Sequence, residues 1–227
     1  NVKDSEGSPV ELWRGRDKRK EQSYFLHRLR QSHLSGTLLP LGEFTKKEVR
    51  VLAEEMGLPT ASEPESQEIC FLPENDYRSF LEEKMGMEIF RKGDIIDGDG
   101  HKLGDHYGSY GFTIGQRHGL GISSLRPYYV KKIIPENNQI VAGRKEELFS
   151  KHVEAESFNW ISGAPPENGI KVLAQIRYRH RAAPGLLEIL SSDRVRFQFD
   201  EPQWAITPGQ ALVCYEGDRL LGGGWIL

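Results

Sequence analysis

The chain has 227 residues, with 30 Lys+Arg against 33 Asp+Glu. The net charge of -3 excludes a globally basic nucleic-acid binder but leaves room for local patches. Aromatics at 10% support real cores. The two cysteines, Cys70 and Cys214, exclude a disulfide scaffold and a four-thiolate metal site. No run approaches the ~20 apolar residues that span a bilayer, and no charged-then-apolar leader opens the chain, so a cytoplasmic protein without membrane contact is expected.

The first stretch, 1–72, reads as helical. Residues 21–34 set Phe25, Leu29 and Leu34 on one helical face. Thr45 and Glu48 have the spacing of a capping box. Val49, Leu52 and Met56 then recur at helical spacing, and Gly57-Leu58-Pro59 stops the helix. Residues 59–68 are polar and aperiodic and read as a loop.

The second stretch, 73–143, reads as a small α+β domain. A short helix over 75–85 turns Tyr77, Phe80 and Leu81 inward and ends at Gly86. Ile95-Ile96 followed by Asp97-Gly98-Asp99-Gly100 predicts a hairpin. A second hairpin is predicted where Pro135-Glu136-Asn137-Asn138 separates two apolar runs.

The third stretch, 144–227, is strand and turn throughout. Val172, Ala174, Ile176 and Tyr178 alternate with Lys171, Leu173, Gln175, Arg177 and Arg179, and Val195, Phe197 and Phe199 alternate with Arg194, Arg196 and Gln198. Short strands at this spacing predict a β-barrel.

Five features bear on chemistry. Cys70 ends the segment Ser66-Gln67-Glu68-Ile69-Cys70-Phe71. A partly exposed thiolate there would serve as a nucleophile or sulfur carrier, and a buried thiol would be inert. Cys214, among Ala211, Leu212, Val213 and Tyr215, reads as buried. Arg14 to Lys20 holds five basic residues in seven, a phosphate clamp or a solvated turn. Arg177, Arg179 and Arg181 would share one face of a strand with Tyr178 and His180 on the other, suited to an RNA backbone and a stacked base or to an ordinary polar face. Gly115-Gln116-Arg117-His118-Gly119-Leu120-Gly121 lacks the GK[ST] ending of a phosphate loop and reads as a turn with positive φ. The seven His show no paired ligand spacing, so no metal is expected.

Seven segments occur in an order that resembles a known family. They are Lys20-Glu21-Gln22-Ser23-Tyr24-Phe25-Leu26, Pro40-Leu41-Gly42, Ser66 through Phe71, Ile114 through Gly121, Tyr128-Tyr129-Val130, Arg177-Tyr178 and Thr207-Pro208-Gly209-Gln210. Together they resemble the bacterial tRNA-specific 2-thiouridylases, the MnmA/TrmU family.

The resemblance implies ATP-dependent activation of the wobble uridine of tRNAs for Lys, Glu and Gln. A cysteine persulfide, charged by a sulfur-carrier protein, then delivers sulfur to C2. Cys70 matches the persulfide cysteine. Lys20, Glu21 and Gln22 match a tRNA-contacting Lys-Asp-Gln, with Glu in place of Asp. Arg177, Tyr178 and Gln210 match tRNA-contacting positions of the barrel. The family's SGGxDS nucleotide loop, its D-x-x-C and its Gly-His-Tyr-Ala-Arg segment are absent from these residues.

The expected fold is therefore an α/β remnant of the nucleotide-binding (PP-loop) domain over 1–72, a small α+β domain and a C-terminal all-β barrel. ATP would be held by a segment upstream, and the chain alone would be inactive. The alternative is a stand-alone RNA-binding module with Cys70 idle. Older labels for the family name a tRNA methyltransferase, but no glycine-rich loop after a strand fits S-adenosylmethionine.

Overall fold

The computed structural model describes residues 2–3, 7–63, 77–86, 91–166 and 169–227. In chain order its elements begin with strands β1 (Val2–Lys3) and β2 (Glu11–Trp13) and helices α1 (Gln31–Leu34), α2 (Lys46–Glu55) and α3 (Tyr77–Met85). Strands β3 (Lys92–Ile96), β4 (Lys102–Tyr107), β5 (Tyr129–Ile134) and β6 (Gln139–Gly143) follow. The chain ends with β7 (Phe149–Trp160), β8 (Ile170–Gln175), β9 (Ala183–Ile189), β10 (Val195–Trp204), β11 (Ala211–Glu216) and β12 (Arg219–Ile226). Among the described residues, no helix is long and apolar enough to cross a membrane.

Contacts divide the chain into two compact units. One is Asn1–Pro64 with Lys151–Gln203 and Thr207–Leu227, and the other is Glu65–Ser150 with Trp204–Ile206.

The first unit holds the expected barrel. Its strands run β12-β11-β8-β9-β10-β7, and a β7–β12 pairing closes the ring. Closure leaves no open edge within the ring. The alternation read from sequence is observed in β10, where Val195, Phe197 and Phe199 are buried and Arg196, Gln198 and Asp200 are exposed. β11 is different, because five consecutive residues, Ala211 to Tyr215, are buried. Side chains on a strand point to alternate faces, so both faces of β11 must be covered. Ala211, Val213 and Tyr215 join Val10, Leu12, Tyr24 and Leu34 in one cluster. The segment 10–34 is thus the cover on the outer face.

That cover corrects the helical reading of the first stretch. β1 and β2 are strands, and β2 pairs antiparallel with β12 at Arg219↔Trp13 and Leu220↔Leu12. Residues 21–34 are no continuous helix: a 3-10 turn over Ser23–Leu26 precedes α1. Phe25, expected on the same face as Leu34, is 55% exposed whereas Leu34 is buried. The reason is anchoring, since this chain follows the outside of the barrel and the contacts to β11 override the 3.6-residue period.

α2 begins as expected. The Thr45 hydroxyl accepts from the Glu48 N–H at 3.3 Å, and the Glu48 carboxylate accepts from the Thr45 N–H at 2.6 Å. Gly57, at φ +65°, ends it. None of its residues is buried.

In the second unit the strand order is β4-β3-β6-β5, with β3 and β6 parallel. Ile95, Leu120, Val130, Ile140 and Ala142 form its core. Both predicted hairpins are present. The Asp97 carboxylate accepts from the Asp99 and His101 N–H groups in one turn, and Asn138 takes φ +48° in the other.

Candidate nucleic-acid interface

The basic run Arg14–Lys20 folds around Asp17. The Asp17 carbonyl accepts from the N–H groups of Lys20 and Glu21 at 3.1 and 2.9 Å. Its carboxylate accepts from the N–H groups of Lys46 and Arg19, which holds its pKa below the usual carboxylate range. Cations of the run face carboxylates: Arg14 lies 3.7 Å from Glu21, Arg16 2.5 Å from Glu48 and Lys18 2.7 Å from Asp218. The run is therefore a braced turn more than an open clamp.

The next residues tie this turn to the barrel. The Ser23 hydroxyl bonds the Tyr215 hydroxyl at 3.2 Å, across 192 residues of sequence. The Tyr24 hydroxyl donates to the Ala211 carbonyl at 2.9 Å. Burial raises the Tyr24 pKa, and the nearby charge of Arg177 opposes that rise. Burial also pushes the Tyr215 hydroxyl up to about 12. Both phenols stay protonated and can donate at neutral pH.

Arg177 and Tyr178 do not lie on a strand, contrary to the alternation expected over 177–181. β8 ends at Gln175, and 176–182 form the connection to β9. The physical cause is the buried Gln175 amide. Its NH2 donates to the Arg177 and Tyr178 carbonyls at 3.1 and 2.7 Å, which curls the chain into a turn. The Gln175 carbonyl oxygen accepts from Arg14 at 3.1 Å. The Arg14 guanidinium lies 3.7 Å over the Tyr215 ring. Arg14 and Gln175 thus link the basic turn, the Arg177–Tyr178 turn and β11. Arg14 belongs to the basic run read from the sequence, whereas Gln175 was not singled out, since it reads as an ordinary polar position of β8.

The outer side of this joint is aromatic. The Phe25 and Tyr178 ring centroids lie 4.6 Å apart, and Tyr24 meets Phe25 edge-on at 5.5 Å. Gln210 belongs to the same neighbourhood: its carbonyl accepts from Ile226, and it directly precedes Ala211, the acceptor of the Tyr24 hydroxyl. The structure thus brings Glu21, Arg177 and Tyr178 close to the Tyr24–Tyr215 joint, with Lys20 and Gln22 flanking Glu21 in sequence and Gln210 next to Ala211.

Cys70 and the rest of Ser66–Phe71 lie outside the described residues. Cys214 is fully buried as a free thiol, and burial drives its pKa up, so it is held as an inert thiol.

In the second unit Gly115, Gly119 and Gly121 all have positive φ, as the sequence predicts. A cavity of about 340 Å³ beside them is lined by Arg117, His118 and Arg126. This loop runs through extended chain into β5 and opens no helix. This loop therefore offers no helix-backed cradle for ATP phosphates. Asp97, Asp99 and His101 place ligand atoms within 4.8 Å of one another, but the Asp97 carboxylate is already engaged by the N–H groups of its own turn.

Three family models match the chain. They are described as a tRNA methyl transferase HUP domain (residues 1–74), a tRNA methyl transferase PRC-barrel domain (78–144) and an aminomethyltransferase β-barrel domain (150–226). A protein of Carboxydothermus hydrogenoformans named tRNA-specific 2-thiouridylase MnmA is 49% identical over 95% of this chain and 59% of its own length. One of the same name from Acidithiobacillus ferrooxidans is 45% identical over 96% and 62%. Another from Syntrophus aciditrophicus, named tRNA-specific 2-thiouridylase MnmA 2, is 45% identical over 95% and 68%. The chain spans roughly three fifths to two thirds of the length of these curated relatives. With this identity sustained from one end of the sequence to the other, the chain belongs to the tRNA-specific 2-thiouridylase family.

Proposed function

We propose that these residues are the tRNA-binding and sulfur-delivering part of a 2-thiouridylase acting at the wobble uridine. The observation that carries the reading is convergence. Segments as far apart as Ser23 and Tyr215 meet in one unit, with Glu21, Arg177 and Tyr178 near an aromatic joint, which supports this reading. Lys20, Arg177 and their neighbours contact phosphates, and Glu21, Gln22 and Gln210 supply polar contacts.

In this reading the outer sulfur of a Cys70 persulfide attacks uridine C2. The thiol of a second cysteine, in a part of the longer protein that these residues do not include, then attacks the Cys70 sulfur, breaking the S–S bond and leaving a disulfide between the two cysteines. ATP supplies the activation that makes the C2 oxygen a leaving group, and it is held by a part of the longer protein that these residues do not include. The substrates are tRNAs for Lys, Glu and Gln, the donor is a sulfur-carrier protein, and the work is done in the cytoplasm. The division into 1–72, 73–143 and 144–227 is part of the same proposal.

The test uses the full-length protein, with 2-thiouridine measured by mass spectrometry of digested tRNA. Cys70→Ser abolishes 2-thiouridine while tRNA binding and ATP-dependent adenylation persist, and Cys214→Ala retains activity. A Cys70→Ser protein that still forms 2-thiouridine contradicts the proposal.

A further inference from the structure

We infer that Phe25 and Tyr178 form a stacking platform for one unpaired nucleobase of the bound RNA. The inference rests on the tRNA-binding reading and adds to it a new contact residue, Phe25, and a mode of recognition.

Both rings are open to solvent, Phe25 at 55% and Tyr178 at 37% exposure. Their centroids lie 4.6 Å apart with planes tilted by 39°. This pair is neither buried in a core nor closed face to face, so its outer faces remain available to a third planar group.

The mounting is rigid on both sides. Phe25 sits on the Ser23–Leu26 turn, which the Ser23 and Tyr24 hydroxyls pin to β11. Tyr178 sits on the turn that the Gln175 amide holds through two carbonyls. Aromatic side chains held in place before binding lose little conformational entropy when a ligand arrives.

The charge around the rings fits a polyanion. Residues 22–34 and 176–187 contain Arg28, Arg30, Arg177, Arg179 and Arg181 and no Asp or Glu, in a chain whose net charge is -3. The guanidinium of Arg28 is fixed to the Ser157 carbonyl. An aromatic surface on two segments that carry several arginines suits a single strand, whose bases expose a π face and whose phosphates pair with cations nearby. In a duplex that face is already covered by neighbouring bases.

The test is a fluorescence titration of the full-length protein with an RNA hairpin whose loop carries 2-aminopurine, a base whose emission falls when it stacks. The wild-type protein quenches the probe on binding. Phe25→Leu keeps volume and removes the π face: quenching is lost and affinity falls roughly tenfold, with an unchanged salt slope because no phosphate contact is removed. Phe25→Tyr, which keeps the π face, quenches and binds like wild type; the quenching itself reports stacking, which a mere packing role for Phe25 would not produce.

A Phe25→Leu protein that binds and quenches like wild type overturns the platform and leaves RNA binding intact, as expected if these rings meet a protein partner instead. A Phe25→Tyr protein as weak as Phe25→Leu also overturns it. A wild-type protein that fails to bind the hairpin removes the tRNA-binding reading itself, and the platform with it.

Discussion

Behind the aromatic turn, His27 is only 3% exposed. Its Nδ1–H donates to the Tyr24 carbonyl at 2.9 Å, and Nε2 has no hydrogen-bond partner among the described residues. The Trp225 ring meets the imidazole edge-on at 5.4 Å. Burial lowers its pKa, and the charge of Arg28 lowers it further. His180 is lowered in the same way, by burial and by Arg177. The folded state therefore holds both imidazoles neutral. Stability is full above the unfolded value of ~6.5 and declines as pH falls below it, because the unfolded chain takes up protons that the folded chain refuses. Thermal melts from pH 8 to pH 5.5 should show that decline in the wild-type protein and a shallower one in His27→Gln. Equal slopes would remove His27 as a contributor.

At the scale of elements, the barrel depends on close approach at β12. A Cβ added at Gly222 would lie 2.4 Å from the Asn159 carbonyl oxygen, and one at Gly224 would lie 2.5 Å from that of Glu156. At Gly223 it would lie 2.8 Å from the His27 Cβ. Gly223→Ala should cost about 1–3 kcal/mol through overpacking, read from urea unfolding. A loss below a few tenths would mean that the segment bearing His27 moves aside without strain.

The same elements show what the sequence carries. The hairpin turns at 97–100 and 135–138 and the alternation in β10 were legible, because turn residues and a period of two are local signals. The three-residue β2 was not, since it forms only where β12 offers an edge. The turn at 176–182 was not either, because Arg177 to Arg181 alternates like a strand and only the buried Gln175 amide decides otherwise. Of the candidate interface, Lys20, Glu21, Gln22, Arg177, Tyr178 and Gln210 were reached through resemblance. Arg14, Gln175 and Phe25 gain their meaning only when barrel closure joins distant segments.

Taken as a whole, the molecule is an anionic chain with cations concentrated where these segments meet. A tRNA drawn there must release counterions, so affinity should fall steeply with salt. The measurement that tests this account most directly is the salt dependence of tRNA binding by the full-length protein, compared with a Lys20→Ala, Arg177→Ala double variant. The double variant should bind more weakly, with a log–log slope shallower by about one for each lost phosphate contact. Affinity and slope both equal to wild type would contradict it, and would place the tRNA on some other surface.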